Sequence, residues 1–434
     1  MSGKVGRLWG APGEGKVERY DVVIIGAGMV GSALGCALGQ AGFRVALVDP
    51  RICPPFRADE PPDIRVSALS PATIEYLDSL GAWSVIKSMR LCPYRKMAVW
   101  EQLAAEPKAH NSKPMNRTTF DCREIGHEQL GYIVENNVIR QALHHVLLKQ
   151  AKVELYSPAL PAAFEEGEDG PSVRLDSGET LHAQLVVGAD GADSLIRQQA
   201  GIGLSSAEYE QRALVATVEI CSGPLDITWQ AFTPTGPKAL LPLPSVGGKH
   251  YASLVWYNSP QAVDDLRRLA DEAFLEAVRR AFPPELPDIV RLLQRSSFAL
   301  ARRHAKRYFC GGAVLVGDAA HTVNPLAGQG VNLGFADAQC LGDLLIRQHD
   351  RGSAFAQPSV LRRYERARYR ENLYMQMILD GFYHLFSNNI TPVKLARNIG
   401  LAVAARFPFG RRQVMRYAMG IRTVGKADRV ARRP

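Results

Sequence analysis

The sequence predicts an α/β protein in which a sheet domain is inserted into a βαβ-type domain and the C-terminal part is helical. Three observations favour this fold. A β-branched strand pattern at residues 20–25 is followed by closely spaced glycines and a helix pattern. The middle of the chain has short apolar runs separated by turn residues, which indicate strands. After Gly330 the pattern is mainly helical.

The elements follow from local patterns along the chain. A β-α-β start is predicted at residues 20–25, 31–41 and 44–48, and a helix at 72–80 that ends at Gly81. Alternation at 94–122 favours strands, and 136–150 favours a helix. Further strands are predicted at 153–155, 173–175, 179–182, 185–187, 213–220, 228–233, 238–243 and 250–257, and a helix at 264–282.

The composition is that of an ordinary globular protein with an uneven charge. Of 434 residues, 46% are hydrophobic and 22% charged, and the seven cysteines include no Cys-x-x-Cys pair. This argues against a disulfide framework or a zinc site and fits a reducing compartment. The net charge is +9, yet residues 391–434 alone carry 11 Lys or Arg and one acid. This region is interpreted either as a solvated face or as a surface for anionic lipid or an acidic partner; no nucleic-acid-binding module accompanies it.

The N-terminal region contains no convincing targeting or membrane-spanning segment. Residues 1–19 are basic and lack an apolar stretch, so we interpret them as a flexible arm. Residues 22–41 carry no charge over a length that could span a bilayer. Their five glycines favour a turn with close packing instead.

Gly26-Ala27-Gly28-Met29-Val30-Gly31 is a G-x-G-x-x-G motif between a predicted strand and a predicted helix. Gly26 permits the tight turn, Gly28 lets the backbone approach a pyrophosphate, and Gly31 lets helix and strand pack closely. Asp49 ends the next strand, where an acid can bind a ribose. Together these features predict a Rossmann-type dinucleotide site, with packing glycines as the alternative.

Two later strand ends also carry acids. Asp190 follows the apolar run 185–187 in an Asp-Gly turn. Asp318 follows the run 313–316 and opens a loop rich in proline and glycine that leads into a helix. Backbone N–H groups at a helix start can bind negative charge. Each segment alone could be an ordinary turn.

The three segments, in this order, resemble the FAD motifs of the flavin-dependent aromatic hydroxylases related to para-hydroxybenzoate hydroxylase. Residues 132–136 and 323–333 are typical of the ubiquinone-biosynthesis hydroxylases in that group, and residues 229–234, 252–257 and 386–389 are similar to them as well. The likeness extends from Tyr20 to about Gly420.

The resemblance implies a para-hydroxybenzoate-hydroxylase-like fold, with a Rossmann-type FAD domain, an inserted β-sheet substrate domain and C-terminal helices. The FAD-binding domain would comprise residues 20–92, 123–205 and 300–350, the substrate domain 93–122 and 206–299, and the helical basic region 351–434. The cofactor would be FAD, with NAD(P)H as reductant and O₂ as co-substrate. A C4a-hydroperoxyflavin would then hydroxylate the substrate ring, the cofactor supplying the difficult chemistry.

The resemblance also implies roles for individual residues. The FAD-binding residues would be Gly26, Gly28, Gly31, Asp49, Arg65, Asn136, Gln141, Asp190, Asp318, Gly328, Gln329, Gly330, Val331 and Asn332. The backbone of 328–332, at a helix start, suits the negative charge of reduced flavin. For Arg65 the alternative is a surface salt bridge.

Two residues of the same loop are candidate catalytic residues. Pro325 would shape the cavity where oxygen reacts, or would simply start a helix. His321 would shuttle a proton, or would be a structural histidine. Trp229, Phe232, Trp256 and Tyr257 would line a pocket for the ring and the prenyl chain, or would be plain core.

The implied substrate is the ring of a polyprenylated benzoquinol, in the first place 3-demethoxyubiquinol. Alternatives are another position of the same ring, a related flavin-dependent prenyl reductase, or a nonenzymatic FAD-binding scaffold. Expected partners are a multiprotein assembly for ubiquinone biosynthesis and an anionic membrane surface, met through the basic C-terminus. The expected location is the bacterial cytoplasm, peripherally on the inner membrane.

Overall fold

The first layer is a mainly parallel sheet built around the N-terminal strand. The computed structural model describes residues 18–101, 117–283, 286–325, 328 and 330–386. Val22–Ile25 is completely buried, as expected of a strand covered on both faces. The order across the sheet is β17 (Phe309–Cys310), β18 (Ala313–Leu315), β11 (Thr180–Gly188), β1 (Glu18–Ile25), β2 (Val45–Val48) and β8 (Val153–Tyr156).

From β18 to β8 all neighbouring strands are parallel, so their carboxyl ends lie at one edge. An antiparallel hairpin extends β11 through β10 (Gly170–Leu175) and β9 (Pro161–Gly167). The helices of this layer are α1 (Met29–Gln40), α2 (Pro71–Ser79), α3 (Ala82–Met89), α4 (Asn136–Leu147), α5 (Leu195–Gln199) and α8 (Gly330–Asp350).

Local sequence accounts for the boundaries of α2. The Ser70 hydroxyl accepts a hydrogen bond from the Thr73 N–H, and Pro71 occupies the first turn, where its missing donor is harmless. Gly81, at φ +76°, lies in the left-handed region and separates α2 from α3. The predicted helix at 72–80 ending at Gly81 is confirmed.

The second layer is a largely antiparallel sheet. Its order is β19 (His321–Thr322), β16 (Ile289–Ala305), β12 (Leu204–Ile220), β15 (Lys249–Asn258), β14 (Gly236–Val246), β13 (Ile227–Thr233), β5 (Lys96–Glu101) and β6 (Thr118–Asp121). A small sheet of β3 (Val66–Leu69), β7 (Gly131–Glu135) and β4 (Cys92–Tyr94) lies between the layers. The remaining helices are α6 (Pro260–Arg268), α7 (Asp271–Ala281) and α9 (Pro358–Phe386).

The two faces of the second sheet have different neighbours. Leu214, Ala216 and Leu254 pack in one core with Phe274 of α7, which defines the outer face. Side chains alternate along each strand, so the residues next to these in the sequence point inward, towards the first layer. Tyr251, for example, packs with Ile133 of β7. The sheet is therefore covered on both sides, and its inner face is the one that meets the first layer.

Several predicted elements need correction. The separate strands at 179–182 and 185–187 are one strand, β11, because backbone pairing continues through the exposed Gln184. The single helix at 264–282 is two helices, and Arg295 hydrogen-bonds the Leu269 carbonyl at the break. The long strand β16 was not predicted.

The proposed domain boundaries can be placed on these elements. Those at 205/206 and 299/300 fall inside the long strands β12 and β16. The predicted arm lies almost entirely outside the described residues, as does the basic region beyond residue 386. Residues 22–41 form part of β1, the glycine turn and α1, and no helix in the described part of the chain is long and apolar enough to cross a membrane.

Candidate active site

The predicted acids and glycines meet at the carboxyl edge of the parallel sheet. Gly26 follows β1, Asp49 follows β2, Asp190 follows β11 and Asp318 follows β18. In sheets of this kind, ligands bind outside the carboxyl ends of the strands. Four stretches distant in sequence therefore form one candidate site.

The glycine turn leaves room for a pyrophosphate. Gly26 has φ +104°, and a Cβ there would lie 2.3 Å from the Ala189 carbonyl oxygen. A Cβ on Gly31 would lie 2.0 Å from the Gly26 carbonyl oxygen. A Cβ on Gly28, in contrast, would meet no protein atom within 4 Å. This open position at the N-terminus of α1, which has no acid in its first turn, fits an FAD pyrophosphate.

Asp49 is buried and fixes the glycine turn. Its carboxylate accepts hydrogen bonds from the Ala27 N–H at 3.0 Å and the Arg51 N–H at 2.8 Å, and it pairs with Arg140 at 3.2 Å. The Ala27 carbonyl in turn accepts from Arg140 at 3.1 Å and contacts His144 at 3.0 Å. The ribose contact of Asp49 stays a prediction.

Asp190 starts α5. Its Oδ2 atom accepts from the N–H groups of Leu195 and Ile196 at 2.7 and 3.3 Å. Its Oδ1 atom is buried and has no hydrogen-bond partner within the described residues. Burial raises the pKa of this carboxyl, against the hydrogen bonds that lower it.

Asp318 is exposed at the same edge of the sheet. Desolvation by the surrounding protein raises the pKa of its carboxyl, while His321 and Arg65 act to lower that pKa. Arg65 is itself exposed. The ribityl contact of Asp318 and the FAD contact of Arg65 stay predictions.

The start of α8 is held in place by Asn332. Its Nδ2 atom donates to the carbonyls of Ala68 at 2.9 Å and Gly328 at 3.3 Å. Its Oδ1 atom accepts from the Ser70 N–H at 3.0 Å and the Thr73 hydroxyl at 2.8 Å. Because the side chain is fully engaged, any contact with flavin would come from backbone N–H groups.

The other residues predicted to bind FAD lie in different settings. Gly330 and Val331 begin α8, and Gly328, at φ +63°, forms the turn before it. Gln329 lies outside the described residues. Asn136 accepts from the Ser67 hydroxyl at 2.7 Å, and Gln141 donates to the Pro54 carbonyl. Asn136 thus bonds strand β3 and Gln141 a neighbouring loop, and the contact of both side chains with FAD stays a prediction.

His321 belongs to a buried ionic network. Its Nε2 atom lies 2.5 Å from Asp337 Oδ2, which also accepts from the Gly317 N–H at 3.1 Å. Asp337 Oδ1 accepts from Arg368 at 2.7 Å and Asn372 at 3.0 Å. Burial alone would raise the pKa of Asp337, but His321 and Arg368 outweigh it and hold that pKa well below its usual range. Such a setting is that of a structural histidine, and proton shuttling stays a prediction.

Pro325 is exposed on the loop, and the buried Asn324 precedes it. Asn324 accepts a hydrogen bond from the Tyr257 hydroxyl at 3.2 Å, which ties the loop to β15. Phe232 of β13 packs with Val323 of the same loop. The inner face of the second sheet thus touches the loop that carries Pro325.

The four aromatic residues predicted to line one pocket lie on two faces. Phe232 and Tyr257 point inward to the loop. Trp256 packs against Phe282 on the outer face, with ring centroids 5.5 Å apart, and Trp229 packs against Trp100 at 5.8 Å. Strand alternation forces this separation. The pocket prediction is therefore corrected for Trp229 and Trp256.

Sequence reasoning missed Arg140, His144, Asp337 and Asn324. Arg140 and His144 lie one turn apart on α4, at the border between its polar side and its buried apolar stripe, which is a signal for a buried contact. Asp337 is an acid within the buried stripe of α8, which is a similar signal.

Comparisons with known proteins add to this geometry. The family described as FAD binding domain matches residues 19–374. The 3-demethoxyubiquinol 3-hydroxylase of Escherichia coli (strain K12) is 41% identical over 401 residues, covering 92% of this chain and 98% of that enzyme. The mitochondrial ubiquinone biosynthesis monooxygenase COQ6 of Xenopus tropicalis is 34% identical, covering 92% and 93%.

A solved structure supports the fold. The p-nitrophenol 4-monooxygenase PnpA from Pseudomonas putida matches with a TM-score of 0.75 and 20% identity, covering 94% of this chain and 100% of that one. At this identity the likeness concerns the fold alone.

Proposed function

Because this chain belongs to the FAD binding domain family, we infer that it hydroxylates the ring of a polyprenylated benzoquinol, 3-demethoxyubiquinol, in ubiquinone biosynthesis. It is an FAD-dependent monooxygenase that uses NAD(P)H and O₂, and its para-hydroxybenzoate-hydroxylase-like fold is as predicted. The observation that carries the substrate assignment is the 41% identity to the Escherichia coli enzyme over nearly its full length.

Bound FAD would supply the reduction and oxygen chemistry, and the protein would bind and orient it. Gly28 and the start of α1 would take the pyrophosphate, with Asp190 near it. Asp49 would bind the adenosine ribose, and Arg65 would lie near FAD. Asp318 would hold the ribityl chain. The first turn of α8 carries no acid, so its N–H groups suit the negative charge of the reduced ring.

The inner sheet face, the loop and α9 would enclose the substrate ring. Phe232 and Val323 pack there with Leu379 and Tyr383 of α9. Apolar walls keep water away from the reacting atoms, and water would favour unproductive oxidation of the reduced cofactor. The same walls suit a ring with a prenyl chain.

The test is product analysis with purified, FAD-loaded protein. A short-chain 3-demethoxyubiquinol analogue, NAD(P)H and isotope-labelled O₂ should yield a ring with one added, labelled oxygen. Labelled oxygen at another ring position, or a reduced prenyl chain without added oxygen, would refute the assignment. Mass spectrometry of the quinone that accumulates after loss of the gene gives the same answer in cells.

We further propose that the protein associates peripherally with an anionic membrane surface, the bacterial inner membrane, and with a multiprotein assembly that presents the prenylated ring. The basic region supports this, as does the outer face of α9. Arg363, Arg366 and Arg370 are exposed there and make no ion pair within the described residues. Tyr374 and Met377 continue this face and are 59% and 61% exposed.

Changing Arg411, Arg412 and Arg416 together to glutamate should weaken binding to anionic vesicles, because each basic residue near such a surface contributes about 1 kcal/mol. Neutral vesicles serve as the control. Unchanged sedimentation with anionic vesicles would contradict this proposal and leave the reaction assignment intact.

A further inference from the structure

A row of five side chains runs across the inner face of the second sheet. Backbone pairing places them directly opposite one another on neighbouring strands, in the order Val99, Gln230, Ala239, Val255 and Val215. Directly opposite residues point to the same face. This is the inner face, because Phe232, two residues from Gln230, packs with Val323 of the loop.

All five side chains of this row are partly exposed. They belong to interior strands of a sheet whose two faces are covered, so partial exposure means that a chamber lies over them. In the next row towards the loop, Phe232 and Tyr257 are buried. Adjacent rows on one face are about 7 Å apart, so the chamber floor lies within one ring's width of the loop residues that these two contact.

Gln230 stands out in this row because its four neighbours are aliphatic. Its amide makes no hydrogen bond within the described part of the chain, unlike Asn324 and Tyr257, which hydrogen-bond each other at 3.2 Å. An amide enclosed by apolar walls loses free energy once a ligand displaces water from it, unless the ligand provides a partner. The occupant should therefore be largely apolar and carry an oxygen that reaches this point.

We propose that the Gln230 amide hydrogen-bonds one oxygen substituent of the substrate ring and so determines ring orientation. The inference rests on the proposed function for the class of substrate. An amide can donate to an ether oxygen or accept from a hydroxyl, so it fits the oxygens of a methoxylated benzoquinol. With one oxygen fixed on the chamber floor, rotation of the ring in its plane is restricted, and a particular carbon faces the flavin loop.

The test compares wild type with Gln230→Met, which keeps the length of the side chain and removes the amide. Binding of short-chain ring analogues to the oxidised, FAD-loaded protein is followed by the change in flavin absorbance. The analogues are the full methoxylated ring and three rings that each lack one oxygen. Gln184→Met is the control, since Gln184 is exposed on β11 and its amide bonds Asp21 at 3.1 Å.

Gln230→Met should weaken binding of the full ring about fivefold to tenfold, as expected for one neutral hydrogen bond. For one of the three analogues the two proteins should agree within about twofold, because the oxygen that Gln230 contacts is already missing. The proposal would be overturned if Gln230→Met weakened the binding of all three analogues equally, or if it did not weaken binding of the full ring. Gln184→Met should match wild type throughout.

A second variant, Gln230→Asn, keeps the amide but withdraws it by one methylene group. It should show the same pattern of discrimination as Gln230→Met, and it replaces that variant if methionine prevents folding. Measurement of turnover distinguishes the proposed reaction from the proposed contact of Gln230 with the ring. A wild-type protein that binds the ring with this pattern but does not hydroxylate it would refute the proposed reaction and leave the Gln230 contact standing.

Discussion

The three glycines of the first motif have different physical roles, although they look equivalent in the sequence. Gly26 and Gly31 are glycines because other protein atoms occupy the place of a Cβ. Gly28 has no such neighbour and has φ −72°, which any residue can adopt. The fold therefore does not demand glycine here, and a requirement for glycine would come from a ligand.

Alanine substitutions should separate these roles. Gly28→Ala should leave the unfolding free energy of the FAD-free protein within about 1 kcal/mol of wild type, because the side chain enters open space. Its FAD affinity should fall at least about tenfold, which corresponds to 1.4 kcal/mol. Calorimetry and FAD titration measure the two quantities.

Gly31→Ala is the matched comparison. Its Cβ would lie 2.0 Å from the Gly26 carbonyl oxygen, so it should destabilise even the FAD-free protein, by about 1–3 kcal/mol. Equal melting temperatures for the two variants would contradict this assignment.

At the same scale, sequence reasoning located residues whose role is set by their neighbours in the chain. Asp190 and Asp318 could be found because each follows an apolar run. Arg140 and Gln230 could not be assigned, because their roles depend on which residues lie opposite them in space. Trp229 and Trp256 were assigned to the wrong face, since both faces of that sheet are apolar and alternation alone does not say which face is inward.

At the scale of elements, Asp337 joins the Asp318 segment, α8 and α9. It is completely buried and has two cationic or potentially cationic neighbours, Arg368 and His321. Removal of one partner from a buried pair leaves the other charge without compensation. The position of the Gly317 peptide, which also bonds Asp337, should depend on this network.

Asp337→Asn should therefore lower the unfolding free energy by about 3–5 kcal/mol. The double variant Asp337→Leu/Arg368→Leu should lose less unfolding free energy than the single variant, because it removes both charges. Denaturant unfolding of the FAD-free proteins measures this. Asp264→Asn, which breaks the half-exposed Arg212–Asp264 pair at 3.2 Å, is the control and should change stability by less than about 1 kcal/mol.

Elements were predicted well where one local pattern decides them, and poorly where pairing decides them. Ser70, Pro71 and Gly81 define α2 without help from the rest of the chain. β11 appeared as two strands because Gln184 interrupts its apolar run, yet parallel pairing with β1 continues past that residue. β16 carries four arginines among its 17 residues, and it is a strand because it pairs along nearly all of β12.

At the scale of the whole molecule, β12 and β16 join the two layers. Each strand is 17 residues long, and their pairing runs from Leu204–Ala305, beside the FAD-binding layer, to Ile220–Ile289 in the second sheet. A division into separately folding units would have to cut this ladder. The FAD-binding layer and the second sheet should therefore unfold together.

Calorimetry should show a single unfolding transition both without and with FAD. Free FAD at one hundred times its Kd should stabilise the whole molecule by about 2.7 kcal/mol, since only the folded state binds it. Two transitions, of which FAD shifts only one, would contradict this expectation. A variant with Gly28→Ala should show the smaller shift that follows from its weaker binding.

The two faces of α9 lie in different environments. Met375, Leu379 and Tyr383 pack with Phe232 and Val323, whereas Tyr374 and Met377 are exposed. Since each residue advances an α-helix by about 100°, one residue inserted after Asn372 would rotate everything downstream by that angle and turn both sets of side chains away from their present neighbours. Point substitutions can diversify either side in evolution, but changes in length within this helix would disturb both at once.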